Sequence, residues 1–222
     1  ALLVGFFRIV LTTNSNTKNP TKLKSQEMSN NRVEIKKSTV LSDDWYLLEK
    51  VTFDYLRSDG TWQTQIRESY NRGNGATVFL YNKDSQNILL IRQFRLPSYL
   101  NDNPTGHLIE TCAGLLDEDN PEDCIKKEIR EETGFQIEKV QKVFEAYMTP
   151  GAVTEKLHFF IAEYNNTMKV GKGGGLEQEQ EDIEVLEMPF SKAIELLKNG
   201  EIQDAKTMLL LQHAMLHKLL DF

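Results

Sequence analysis

Apolar and polar residues alternate along this chain in two rhythms. Short runs rich in β-branched and aromatic residues over 45–57, 61–70, 76–82, 87–94, 107–113, 139–147, 155–164 and 183–187 read as strands. Arg57-Ser-Asp-Gly60 separates the first two runs and marks a hairpin, so these runs predict a β lobe at the N-terminal end. Helical spacing follows over 121–133, over 192–198 with Ser191 as cap and Gly200 beyond the end, and over 205–220. In the last of these, Met208, Leu209, Leu210, Leu211, Met215 and Leu219 are core positions that would pack on a sheet. Strands interleaved with helices predict an α/β (α+β) fold, an α/β/α sandwich preceded by the lobe.

The 121–133 segment carries the chemistry. Asn120 is placed to cap it, Pro121 fits the first helical position, and Gly134 is placed to end it. On a wheel of about 100° per residue, Glu128, Glu131 and Glu132 share a side with Cys124, Ile125 and Ile129, while Lys126 and Arg130 fall opposite. A solvated charge run would face its glutamates away from the isoleucines. Carboxylates crowded near an apolar interior must protonate, pair with bases or bind a cation. Magnesium, a hard ion that takes carboxylates, waters and substrate phosphate, satisfies them most simply. Glu128 and Glu132, one turn apart, are the first candidates as metal ligands; Glu131 is an additional ligand or a positioning carboxylate.

Lys127-Glu-Ile-Arg-Glu-Glu-Thr-Gly-Phe135 resembles the second half of the Nudix box, Arg-Glu-apolar-x-Glu-Glu-x-Gly-apolar. Lys127 replaces the arginine, the spacing from Gly114 is one residue short, and Asn120 or Asp119 stands where the first glutamate belongs. Lys127 lacks a planar fork and can pair with one carboxylate, such as Glu131 at i+4. Tyr70–Thr77, Ile91–Arg95, Ile109–Asp117, Tyr147–Gly151 and Glu181–Glu187 extend the likeness to the GDP-mannose pyrophosphatase branch of the Nudix superfamily, which carries the same shortened, lysine-containing box.

That resemblance implies a mixed-sheet Nudix fold and hydrolysis of the pyrophosphate of a nucleotide sugar, GDP-mannose first. It adds the backbone carbonyl of Ala113 and the carboxylate of Glu181 to the metal ligands, and makes Glu181 the candidate general base, with Glu179, Asp182 and Glu184 as rivals. Glu131 and Glu132 complete the catalytic set. It places Arg67, Arg95 and Lys206 on the substrate, with Glu68 a weaker candidate beside Arg67. Glu155 matches a sugar-contact position, and Trp45 either stacks on the base or is a half-buried lobe residue. It also implies a homodimer in which the lobe, residues 32–73, swaps across to a partner's hydrolase domain, residues 74–222. Val170–Asp182, a glycine stretch followed by acids, reads either as a surface loop or as a mobile loop that delivers the base.

Charge and composition narrow the rest. At 222 residues the chain suffices for one well-sized domain with a small lobe. A formal charge of −7 argues against a nonspecific nucleic-acid surface. The apolar start, 1–11, is interrupted by Arg8 and too short to span a bilayer, so no membrane role is expected. Residues 1–31 read as a disordered or foreign extension, with Met28 as the natural start. Cys112 and Cys124 have no disulfide or metal spacing and read as reduced core thiols of a cytoplasmic enzyme. The histidines form no ligand cluster, and His213 and His217, at i and i+4, read as helix surface or packing. An ADP-ribose pyrophosphatase is the nearest rival activity, and a noncatalytic Nudix-like ligand sensor the rival of a different class.

Overall fold

The computed structural model describes residues 32–116 and 119–222; the expectations for 1–31 and Met28 lie outside the described residues. β1 (Val33–Asp43), β2 (Leu47–Leu56) and β3 (Trp62–Asn71) form one sheet in that order. Arg57 N–H closes the β2–β3 turn on Thr61 O at 2.8 Å, with Gly60 at φ 82°. β1 is an addition to the sequence reading. It is almost wholly exposed, so no alternation of buried and exposed positions marks it. Over the described residues the chain divides into two compact units, 32–39 with Lys50–Arg67, and Val40–Glu49 with Glu68–Phe222.

The second unit holds a mixed sheet of β4 (Gly75–Asn82), β5 (Asn87–Phe94), β6 (His107–Glu110), β7 (Ala113–Leu115), β8 (Gln141–Tyr147), β9 (Lys156–Glu163) and β10 (Glu184–Pro189). Its main order is β10-β5-β4-β9-β8, with β4 and β9 parallel and the other pairs antiparallel. Every residue of β4 is buried, the mark of a strand covered on both faces. The helices are α1 (Leu96–Tyr99), α2 (Pro121–Glu128), α3 (Phe190–Lys198) and α4 (Ala205–His217).

Alternation along β4 separates two cores. Phe79 and Tyr81 join Phe190 and Ile194 of α3 and Leu210, Leu211 and Ala214 of α4. Ala76, Val78 and Leu80 face the other way, onto Cys124 and Ile125 of α2 and the following Ile129. The result is the expected α/β/α sandwich. α3 begins two residues before the expected start: Pro189, still paired with Asn87 in the sheet, occupies the cap position, and Phe190 N–H donates to Gln86 O at 2.9 Å. Ser191 therefore does not cap it.

The expected single strand 107–113 is two strands, for a tertiary reason. β4 and β5 pair from Leu80–Leu89 to Asn82–Asn87 and then part. β6 fills the opening against β5, from Ile91–Glu110 to Phe94–His107, and β7 fills it against β4, from Thr77–Ala113 to Gly75–Leu115. Thr111 and Cys112 cross the gap between them. Among the described residues, no helix is long and apolar enough to cross a membrane.

Candidate active site

The chain crossing that gap meets α2. Asn120 caps the helix, its side-chain oxygen accepting from Glu122 N–H at 3.1 Å and Asp123 N–H at 3.0 Å, with Pro121 at the first position. Beyond Glu128 the helix widens into a π turn over Ile129–Thr133 and ends at Gly134, φ 77°. The sequence predicts one α-helix to 133; the wider turn is a departure of the kind that gathers at functional sites. Glu132 is 1% exposed, Glu128 and Glu131 are half-buried, and Arg130 is exposed on the far side.

Glu128 and Glu132 flank the β7 backbone. A Cβ on Gly114 would overlap the Glu128 carboxylate, so glycine is what admits it. Glu132 accepts Ala113 N–H at 3.1 Å. Burial pushes the Glu132 carboxyl up to about 8; the charges of Glu128 and Glu181 push the same way, against hydrogen bonds from Cys112 and Ala113. Lys127 lies 3.9 Å from Glu131, the i+4 pairing expected. All these donors are oxygens, the kind a hard divalent cation takes. The room left at Gly114 and the mutual repulsion at Glu132 fit such an ion. Among the described residues, no three His, Cys, Asp or Glu side chains are yet close enough to enclose one.

The glycine loop is tied to the helix end. Val170 and Gly171 N–H groups donate to Gly134 O at 2.8 and 3.0 Å, Gly174 N–H to Glu132 O at 2.8 Å and Gly175 N–H to Glu131 O at 3.1 Å. Helix-end carbonyls left over by the π turn thus find partners in the loop. Gly173, at φ 69°, has no room for a Cβ against the Glu132 carbonyl. These glycines latch the loop to the helix end. Past the latch Glu181 folds back, its carboxylate accepting Leu176 N–H at 3.0 Å. Of its rivals, Asp182 is exposed, Glu184 is exposed and paired with Arg92 at 2.8 Å, and the side chain of Glu179 is outside the described set.

The substrate candidates fall into separate groups. Arg95 and Lys206 come together on Glu110, a residue the sequence reading passed over: Arg95 Nε and Nη2 donate to its two oxygens at 2.8 and 2.9 Å, and Lys206 Nζ also pairs with it. Burial pushes Glu110 up, but the charge of Lys206 and the bonds and charge of Arg95 outweigh it and hold the carboxyl down at about 2. A glutamate inside an apolar strand run was the signal that could have found it.

Glu155 lies beside Gly75, with Arg72 Nε 3.7 Å away. Arg72, also unforeseen, stands 5.7 Å over the Tyr46 ring. Trp45 meets Tyr46 edge-on at 6.3 Å and is 82% exposed, which removes the half-buried alternative. Arg67 is exposed on β3, bonded to Ile66 O and Gln65 Oε1, and Glu68 beside it is exposed too. Cys112 and Cys124 are buried and form no disulfide. His213 and His217 lie with ring centres 4.2 Å apart and tilted on α4, with His213 against Phe144.

Comparison with known proteins agrees with this geometry. The GDP-mannose pyrophosphatase NudK N-terminal domain matches residues 32–70, and the NUDIX domain matches 71–211. A GDP-mannose pyrophosphatase of Yersinia enterocolitica is 54% identical over 189 residues, 85% of this chain and 98% of that protein. One from Escherichia coli O1:K1 is 52% identical over 190 residues, 86% of this chain and 98% of its own. In fold, the chain resembles the crystal structure of an ADP compounds hydrolase, with a TM-score of 0.62 at 18% identity over 86% of this chain and 97% of the other. By sequence and by architecture, the chain belongs to the Nudix hydrolases, with the N-terminal domain of their GDP-mannose pyrophosphatase branch.

Proposed function

We propose that the protein hydrolyses the pyrophosphate bond of a nucleoside diphosphate sugar, GDP-mannose to GMP and mannose 1-phosphate, with magnesium. The observation that carries this reading is the gathering of Glu128 and Glu132 on the Ala113–Gly114 backbone, with Glu181 near enough to raise the Glu132 pKa. The similarity to GDP-mannose pyrophosphatases over both domains supports the choice of substrate.

Glu128, Glu132, Glu181 and the Ala113 carbonyl would hold the magnesium ion. Its chemistry, when bound, is neutralisation of the pyrophosphate oxygens and activation of water. Burial and the neighbouring acids favour the protonated form of Glu132 without metal, and as a ligand it would bind as the carboxylate. Glu181 receives the proton of the attacking water, and Glu131 positions the neighbouring carboxylates. Arg95 and Lys206 bind substrate phosphate, Glu155 the sugar, and Trp45 with Arg67 and Glu68 the nucleotide end.

The chain acts as a homodimer through a lobe of residues 32–73, leaving 74–222 as the hydrolase domain. Val33, Ile35, Trp62 and Ile66, 48–64% exposed, support such an apolar interface. Buried cysteines outside any disulfide support a cytoplasmic setting, and the charge of −7 supports the absence of a nucleic-acid partner. Purified protein given a panel of nucleotide sugars with magnesium, products read by mass spectrometry, tests the assignment. GDP-mannose is expected to lead; a place among the poorest substrates would refute it.

A further inference from the structure

The nearly inaccessible carboxylate of Glu110, 1% exposed at the end of β6, joins elements that are far apart in sequence. Isolated, such a charge is costly to bury. Here Arg95, just past β5, and Lys206, in the first turn of α4, both pair with it. Lys206 also lies 3.1 Å from Asp204, which caps α4 by accepting Thr207 N–H at 3.0 Å. The network therefore fixes the α4 terminus and the β5 end relative to the β6–β7 crossing.

The geometry at Arg95 does more than fill a core. Glu110 engages one edge of the guanidinium, Nε and Nη2, and does not use Nη1. The Arg95 side chain remains 39% exposed, whereas that of Lys206 is 12% exposed. A planar fork held on one edge presents the other in a fixed direction, the arrangement suited to oxyanions.

We propose that Glu110 is a positioning residue for substrate: it holds Arg95 with its Nη1 edge free and Lys206 alongside, forming one preformed receptor for the oxygens of a nucleoside diphosphate sugar. The inference rests on the nucleotide-sugar reading given above. Glu110 itself, being buried, does not touch substrate. Its removal therefore acts on binding through Arg95, and not on the bond-breaking step.

The test compares wild type, Glu110→Gln, Glu110→Asp, Arg95→Lys and the Glu110→Gln/Arg95→Lys pair on GDP-mannose with magnesium, alongside thermal unfolding. Glu110→Gln is expected to raise KM about tenfold or more with kcat within about threefold, since uniform binding is what is lost. Arg95→Lys is expected to raise KM in the wild-type background and to add less than about twofold on top of Glu110→Gln, because placement of the fork is already lost. Glu110→Asp, which keeps the charge, is expected between wild type and Gln, and carries the test alone if Gln does not fold. A folded Gln or Asp variant with wild-type KM, a fall in kcat alone, or independent multiplication of the two substitutions overturns the proposal while turnover by wild type leaves the functional reading standing. A wild-type protein inert on GDP-mannose overturns both.

Discussion

Replacing Glu132 with glutamine should make the metal-free protein less sensitive to alkali. The folded protein keeps this carboxyl near 8, against an ordinary 4.5, because it is buried and faces Glu128 and Glu181. Between those values the folded state binds more protons than the unfolded state, so stability is full below about pH 4.5 and is lost as pH rises to about 8. A shift of this size corresponds to roughly 5 kcal/mol, of which about 4 falls between pH 5 and 9. For a chain of this length that is roughly 8–16 °C in Tm. Thermal melts with a chelator at pH 5 to 9 read it directly: wild type should lose about that much more than Glu132→Gln, and magnesium should flatten the wild-type curve by taking the place of the proton. Parallel pH curves for the two proteins would refute the account of Glu132.

Two further outcomes follow from the loop. Gly173→Ala forces a side chain into left-handed backbone against the Glu132 carbonyl; it should cost roughly 1–2 kcal/mol in melting and lower kcat about tenfold or more by loosening Glu181, and unchanged kcat in a folded variant would remove the latch from catalysis. Glu181→Gln should lower kcat by about 10²–10⁴ with little change in KM, measured by steady-state release of mannose 1-phosphate; full turnover would pass the base role to Asp182 or another acid.

Local chemistry was legible and tertiary partnership was not. Asn120, Pro121 and Gly134 announce the ends of the glutamate helix because capping needs only neighbouring residues. The strand over 76–82 is also legible, because its apolar run needs no distant partner to mark it. The split of 107–113 depends on β5 and β4 diverging, which no residue within the run encodes. β1 escaped notice because an exposed strand has no buried face to pattern it. Glu128 and Glu132 declare themselves through helical spacing, whereas Glu110 acquires meaning only when Arg95 and Lys206 arrive from elsewhere. The π turn was invisible for the same reason, since its spare carbonyls are used by glycines about forty residues onward.

The parting of β4 from β5 means that the chemistry is built into a seam. Ala113 travels with β4, and Glu110 with its two cations travels with β5. A molecule touching both would act as a stitch across the middle of the sheet, the place where most proteins are closed for good. A substrate held at both places would tie the two sides of that seam to each other.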